Sequence, residues 1–273
     1  MITDTDNIQE NQAALAFNNQ SAYFDELYSS QEIIRYKRKR VRDHLLNCLS
    51  PGGRILELNA GTGDDAVFLA EKGYRVHATD ISAGMQKKLI EKVELHGLSD
   101  FVTTELCSFT SLDNLGTKGP YDCIFSNFAG LNCTGKLEQV LNRFDTLLKP
   151  GGVVVLVILP RYCLWESLLV FRGKFKTATR RFFSSAGRKA YIDDTLFRCW
   201  YYSPGFVKRI MKEKYNLLGL EGLCTIVPPS YLDKFPERFP NTYSRLCAAE
   251  NRLKSRWPWK QIGDYYIISF RKK

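Results

Sequence analysis

Histidine is scarce in this chain, three in 273 residues, and its eight cysteines include no C-x-x-C pair. With no histidine beside a cysteine at metal spacing, no zinc site or other metal is expected. The scattered thiols, several inside apolar runs such as Cys123 in YDCIFSNF, predict buried reduced cysteines and not a disulfide frame. Long apolar runs are also missing. The longest, 153–159, is far too short to cross a bilayer, and the opening MITDTDNIQENQ has no apolar signal region. The expectation is a soluble cytoplasmic protein.

What is present suffices for a full core: 44% of residues are hydrophobic, enough for one large domain or one domain with an insertion. Charged residues make up an ordinary 25%, but the net charge is +10. That excess points to an anionic partner (nucleic acid, a phospholipid surface or an acidic substrate) or, more plainly, to a solvated basic surface.

Residues 1–19 read as a flexible tail. Over 20–49 the spacing predicts helix, with Ile33, Ile34, Val41, Leu45 and Leu49 on one stripe and the run RYKRKRVR at 35–42 facing solvent. Ser50-Pro-Gly-Gly closes it. Strand and helix patterns then alternate to residue 160, and short apolar runs such as ILEL and VVVLVIL fit strands buried on both sides. The core is therefore placed at 20–160, an α/β parallel sheet with an N-terminal helical cap. Beyond Pro160 the alternation stops. Residues 161–215, rich in aromatics (Tyr162, Trp165, Phe171, Phe175, Phe182, Phe183) and basic residues, read as a helical insertion, and 216–273 as the closing part of the sheet.

Segments 54–65, RILELNAGTGDD, and 75–82, RVHATDIS, carry the chemistry. A strand, a glycine turn, a helix start and a second strand ending on Asp80 are how an open sheet holds an adenosine-containing cofactor at its carboxyl edge. Gly61 and Gly63 let the backbone approach a ligand, the helix start offers free N–H groups, and Asp80 can accept from ribose hydroxyls. Gly61-x-Gly63-x-x-Ala66 loosely fits a dinucleotide fingerprint. Against a dinucleotide stand Glu57, whose charge suits an ammonium or sulfonium and repels a pyrophosphate, the acidic Asp64 and Asp65, and the lack of a Tyr-x-x-x-Lys pair.

ILELNAGTGDDA, VHATDISAGM, YDCIFSNFAGLNC and LLKPGGVVVLVIL, in this order over about 20–160, resemble the motifs of class I S-adenosylmethionine-dependent methyltransferases of the small-molecule type. The closing strand, helix and strand resemble that family's end. The resemblance implies a Rossmann-like seven-stranded sheet, mostly parallel with an antiparallel last strand, and S-adenosyl-L-methionine as cofactor. It implies that Glu57 binds the methionine amino end and that the backbone of Asn59, Ala60, Gly61 and Gly63 lines the methionine and ribose. Asp80 would take the ribose hydroxyls, Ile81 and Met85 the adenine face, Ser108 and Phe109 its edge, and Asn127 and Phe128 the methionine side. Tyr23, in SAYFDELY, resembles the aromatic that lids the cofactor, or packs within the first helix. Two departures stand out: Asn59 replaces the first glycine of the motif, and Cys107-Ser108 stands where an aspartate often contacts adenine.

The acceptor side is less legible. Tyr162, Trp165 and Glu166 are pocket candidates, with ordinary packing the plainer reading of Glu166. His44, His77 and His96 read as packing or surface residues, and no catalytic base is assigned. Methyl transfer needs one only for a neutral hydroxyl or carbon acid. The aromatic insertion predicts a small-molecule acceptor, apolar or aromatic. An RNA acceptor is the alternative, though SNFAG is not the (D/N)PP(Y/F) motif of amino-directed nucleic-acid enzymes. A peripheral membrane contact through the basic insertion, and an inactive cofactor-binding interaction subunit, complete the readings. The oligomeric state is not legible.

Overall fold

Alternating apolar strands and amphipathic helices from Arg54 onward fold into an open α/β sheet in the computed structural model, which describes residues 4–182 and 186–273. Three helices precede the sheet: α1 (Asp4–Gln20), α2 (Phe24–Ser29) and α3 (Glu32–Cys48). Then β1 (Arg54–Leu58), α4 (Asp64–Glu71), β2 (Arg75–Asp80), α5 (Ala83–Leu95), β3 (Val102–Leu106), β4 (Tyr121–Ser126), α6 (Leu137–Leu147) and β5 (Leu148–Ile158) follow. Past β5 come α7 (Leu164–Ser167), α8 (Phe175–Ala178), β6 (Arg188–Ile192), β7 (Thr195–Cys199) and α9 (Pro204–Met211). The chain closes with β8 (Tyr215–Leu223), α10 (Phe235–Arg238), α11 (Pro240–Leu253) and β9 (Tyr265–Lys272).

The sheet has seven strands in the order β3-β2-β1-β4-β5-β9-β8. The first five pair in parallel, and β9 runs antiparallel to both β5 and β8. Successive strand residues face opposite ways, so each central strand feeds two cores. Leu56, Ile124 and Leu156 join α6 on one face; Ile55, Phe125 and Val155 join α4 and α5 on the other. The reversal of strand order between β1 and β4 leaves a crevice at their carboxyl ends.

Three expectations change. The tail expected over 1–19 is helical from Asp4: Ala13 and Ala16, spaced to share a face, are buried with Phe197 and Cys199 of β7. The basic run over 35–42, expected to face solvent, is enclosed in part: Arg35 and Lys39 stay exposed, but Lys37 is at 0% and Arg40 at 5% exposure. Each is held by carboxylates, Lys37 by the buried Asp264 at 2.9 Å and Arg40 by the half-buried Glu221 and the buried Glu250 at 3.0 and 3.4 Å. Periodicity places a side chain on a face but does not say which later segment will cover it. Finally, the helical insertion over 161–215 contains a hairpin: β6 pairs with β7 through the turn Asp193-Asp194, with Asp193 in the left-handed region. Phe183 lies outside the described residues.

Candidate cofactor site

The crevice is built from the carboxyl-end loops of β1, β2, β3 and β4, and the first is held in shape by Asn59. Its φ of 48° lies in the left-handed region, which asparagine tolerates better than most residues. Its side chain does what a glycine there would not. Oδ1 accepts from Ser126 Oγ at 2.6 Å and Nδ2 donates to the Asn127 carbonyl at 2.8 Å, tying the β1 loop to the end of β4. Room for that amide is made at Gly130, where a Cβ would stand 2.2 Å from Asn59 Cγ. Gly63, at φ 83°, caps α4 so closely over α5 that a Cβ would meet Leu89 Cγ at 2.6 Å.

Asp80 accepts from Gly61 N at 2.9 Å and Ser82 N at 2.8 Å, which aims the carboxylate across the crevice. Burial raises its pKa, and the backbone N–H groups offset only part of that rise. Glu57 is 2% exposed, and its Oε2 has no hydrogen-bond partner among the described residues. Burial first, then the nearby Asp65 charge, push its carboxyl well above the usual range, against Arg42 and Arg38. A buried acceptor without a donor is costly unless a ligand supplies one.

Asp64 and Asp65, at the start of α4, are not free charges. Asp65 accepts from Arg42 Nε at 2.7 Å and Asn127 Nδ2 at 2.6 Å; Asp64 pairs with Arg38 at 3.1 Å and with Lys92. Burial alone would raise the Asp64 carboxyl, but Arg38 and Lys92 hold it below its ordinary value. The repulsion expected of this acidic pair toward a pyrophosphate is therefore largely offset.

The cavity brings together Glu57, Asn59, Ala60, Gly61, Asp80, Ile81, Met85, Ser108, Phe109, Asn127 and Phe128. Gly63 stands behind the loop as the cap of α4. Tyr23 does not line the cavity; its hydroxyl donates to Asp193, and the next residue, Phe24, is the aromatic that reaches in. Tyr162 is exposed against Phe182, and Trp165 and Glu166 also lie away from the cavity. Glu166 is buried between Arg180 and Arg181, and Arg181 bridges at 2.9 Å to Asp264. Burial would raise its pKa, but these two guanidinium groups hold it down. Cys163, Glu166 and Asp264 place ligand atoms within 4.8 Å of one another. Their carboxylates are already engaged by Arg180, Arg181 and Lys37, so the cluster is an ion-pair clamp between the insertion and the sheet.

The sequence reading missed the N-terminal roof. Glu10, Ala13 and Phe17 of α1 line the cavity, Glu10 accepting from Ser108 Oγ at 3.0 Å and Thr110 Oγ1 at 2.7 Å. Asp25 of α2 accepts from Thr62 Oγ1 at 2.5 Å, and Asn18 from Gly84 N at 2.7 Å. The one available signal was the Ala13, Ala16, Phe17 spacing within an otherwise polar segment.

A carboxylate aimed into the crevice, an orphaned buried acid at the end of β1 and a glycine turn capping α4 fit S-adenosylmethionine, which would offer ribose hydroxyls to Asp80 and an ammonium to Glu57. Fold and site together are similar to those of class I S-adenosylmethionine-dependent methyltransferases. Residues 55–152 match the family model described as a methyltransferase domain. An uncharacterized methyltransferase of Synechocystis is 29% identical over 139 residues, which span 48% of this chain and 60% of that protein. The tRNA 5-carboxymethoxyuridine methyltransferase of Escherichia coli is 27% identical over 222 residues, 80% of each chain. In fold, the chain resembles the Burkholderia thailandensis 1,6-didemethyltoxoflavin-N1-methyltransferase solved with S-adenosylhomocysteine, with a TM-score of 0.55, 15% identity, and coverage of 97% of this chain and 89% of that one.

Proposed function

We propose that this methyltransferase acts on a small-molecule acceptor with an apolar or aromatic body. The observation that carries this reading is the roof: α1 and α2 close over the crevice, and Phe17, Phe24 and Phe128 line it. Such a cavity admits a compact group with an apolar face and excludes water from it.

The cofactor supplies a methyl group already activated by a positive sulfur. The residues of this chain bind and orient. Asp80 and Glu57 fix the two polar ends, Ile81 and Met85 pack against the adenine, and the Asn59–Asn127 bond sets the distance between the β1 and β4 loops. Transfer is an in-line displacement, so alignment at near-attack distance is the main demand. Among the described residues no imidazole lines the cavity. The acceptor atom on this reading is one that needs no strong base, such as an amine, a thiolate or a carboxylate.

A second reading, RNA, is favoured by the net charge of +10 and by the Escherichia coli relative, whose name specifies a tRNA acceptor. Incubating the protein with methyl-labelled cofactor in extracts of its own cells, with and without ribonuclease, distinguishes the two. Label in a ribonuclease-resistant small product supports the proposal, and label that disappears with ribonuclease sinks it.

A further inference from the structure

Nearly all of the net charge falls in one stretch of the sequence. Segment 161–214 holds thirteen Lys and Arg against four Asp and Glu, +9 of the chain's +10. Part of that charge is consumed internally: Arg180 and Arg181 clamp Glu166, and Arg188 and Arg198 donate to backbone carbonyls. Arg172, Lys174, Lys176 and Lys189 are exposed and form no ion pair among the described residues.

The same surface leaves large apolar side chains in solvent. Phe171 is 86% exposed, Phe175 61%, Leu168 44% and Val170 36%. They lie on the tight turn Leu168–Arg172 and on α8, interleaved with the unpaired cations. Contiguous exposed apolar side chains mark an interaction surface. Rings and aliphatics beside Lys and Arg are the composition of an element that lies in a membrane interface, its apolar groups sunk among acyl chains and its cations at the phosphates. A single-stranded RNA would use the cations and stack on the rings. It has no use for Leu168 and Val170, whereas a lipid surface uses all of them.

The position of this element adds weight. Leu164 N donates to the Ile262 carbonyl at 2.8 Å, and the Glu166–Arg181–Asp264 bridge bolts the insertion just ahead of β9. Tyr265, the next residue, meets the cavity-lining Phe128 edge-on at 6.3 Å between ring centres. The exposed patch thus stands at the sheet's carboxyl edge, where the crevice lies.

We propose that this patch docks the protein on an anionic lipid surface, with Leu168, Val170, Phe171 and Phe175 entering the interface and Arg172, Lys174 and Lys176 on the lipid phosphates. The inference goes beyond the proposed function, because docking is read without cofactor or turnover. Its test is co-sedimentation of the 273-residue chain with vesicles of phosphatidylcholine alone or mixed with phosphatidylserine. Binding to the anionic vesicles only is expected. Replacing both Phe171→Ser and Phe175→Ser weakens it about tenfold, as does Lys174→Glu with Lys176→Glu. All four side chains are exposed, so these variants keep their fold and their cofactor affinity. Absence of binding to anionic vesicles, or binding indifferent to both pairs of replacements, overturns the proposal. So does Lys174-dependent retention of tRNA by a protein that ignores the vesicles, which would assign the patch to RNA.

Discussion

Ionised groups are treated in opposite ways around the crevice and on the insertion. In the crevice, Asp64 and Asp65 are matched by Arg38, Arg42 and Lys92, and Asp80 by two backbone N–H groups. Matched groups are fixed before a ligand arrives, which is what a site that must align two reactants requires. Glu57 is the exception, with one carboxylate oxygen left for the ligand. On the insertion, Lys174 and Lys176 face solvent and form no ion pair among the described residues. Such charges attract from a distance and fix little. One region is shaped to hold a cofactor; the other is the surface proposed to dock on lipid.

The sharpest way to break this contrast is Asp80→Ala. Losing a charged acceptor of two ribose hydroxyls should weaken S-adenosylmethionine binding about a hundredfold or more in calorimetry. An unchanged affinity would mean that the assigned site is wrong. Next comes Gly130→Ala, which forces a methyl group onto the Asn59 amide and should destabilise the fold by about 1–3 kcal/mol in denaturant titration. Adding Asn59→Gly should restore most of that loss; no recovery would show that the two positions are not coupled.

Glu57→Gln separates binding from stability. The charge that suits an ammonium is also a burden on the empty site, so the variant should bind the cofactor about tenfold more weakly and yet gain about 1 kcal/mol as apoprotein. Burial and Asp65 raise the Glu57 pKa in the folded state. Its penalty is therefore absent below the ordinary carboxylate range and grows as pH rises. The stability gap between the two proteins should close in acid.

The smallest effect concerns His44, which lines neither the cavity nor the exposed patch. Burial alone would lower its pKa, but hydrogen bonds with Cys48 and Glu221 carry it from 6.5 to about 9. A raised folded pKa contributes stability that is complete below pH 6.5 and fades as pH climbs through about 9. Wild type should lose melting temperature across that window, and His44→Gln should lose less. Cofactor affinity should not follow.

How much was legible depended on whether function used local pattern or long-range contact. The strand–turn–helix over 54–65 is a local unit, so Gly61, Glu57 and Asp80 could be placed from spacing alone. Glu166 and Tyr23 also sit in suggestive contexts, but their partners, Arg180, Arg181 and Asp193, come from elsewhere in the chain, and no periodicity announces such pairings. The run 35–42 misled for the same reason: a basic stripe reads as solvated until Asp264, Glu221 and Glu250 are folded onto it.

The succession of strands and helices along the chain, the donor side of the reaction and the concentration of positive charge after Pro160 are written in the sequence, because each rests on residues adjacent or regularly spaced along the chain. The roof of α1 and α2, the neutralisation of Asp64 and Asp65, and the ion-pair clamp through Glu166 were decided only by the tertiary structure. Each brings together side chains far apart in sequence, and a buried charge takes its meaning from the partner that reaches it.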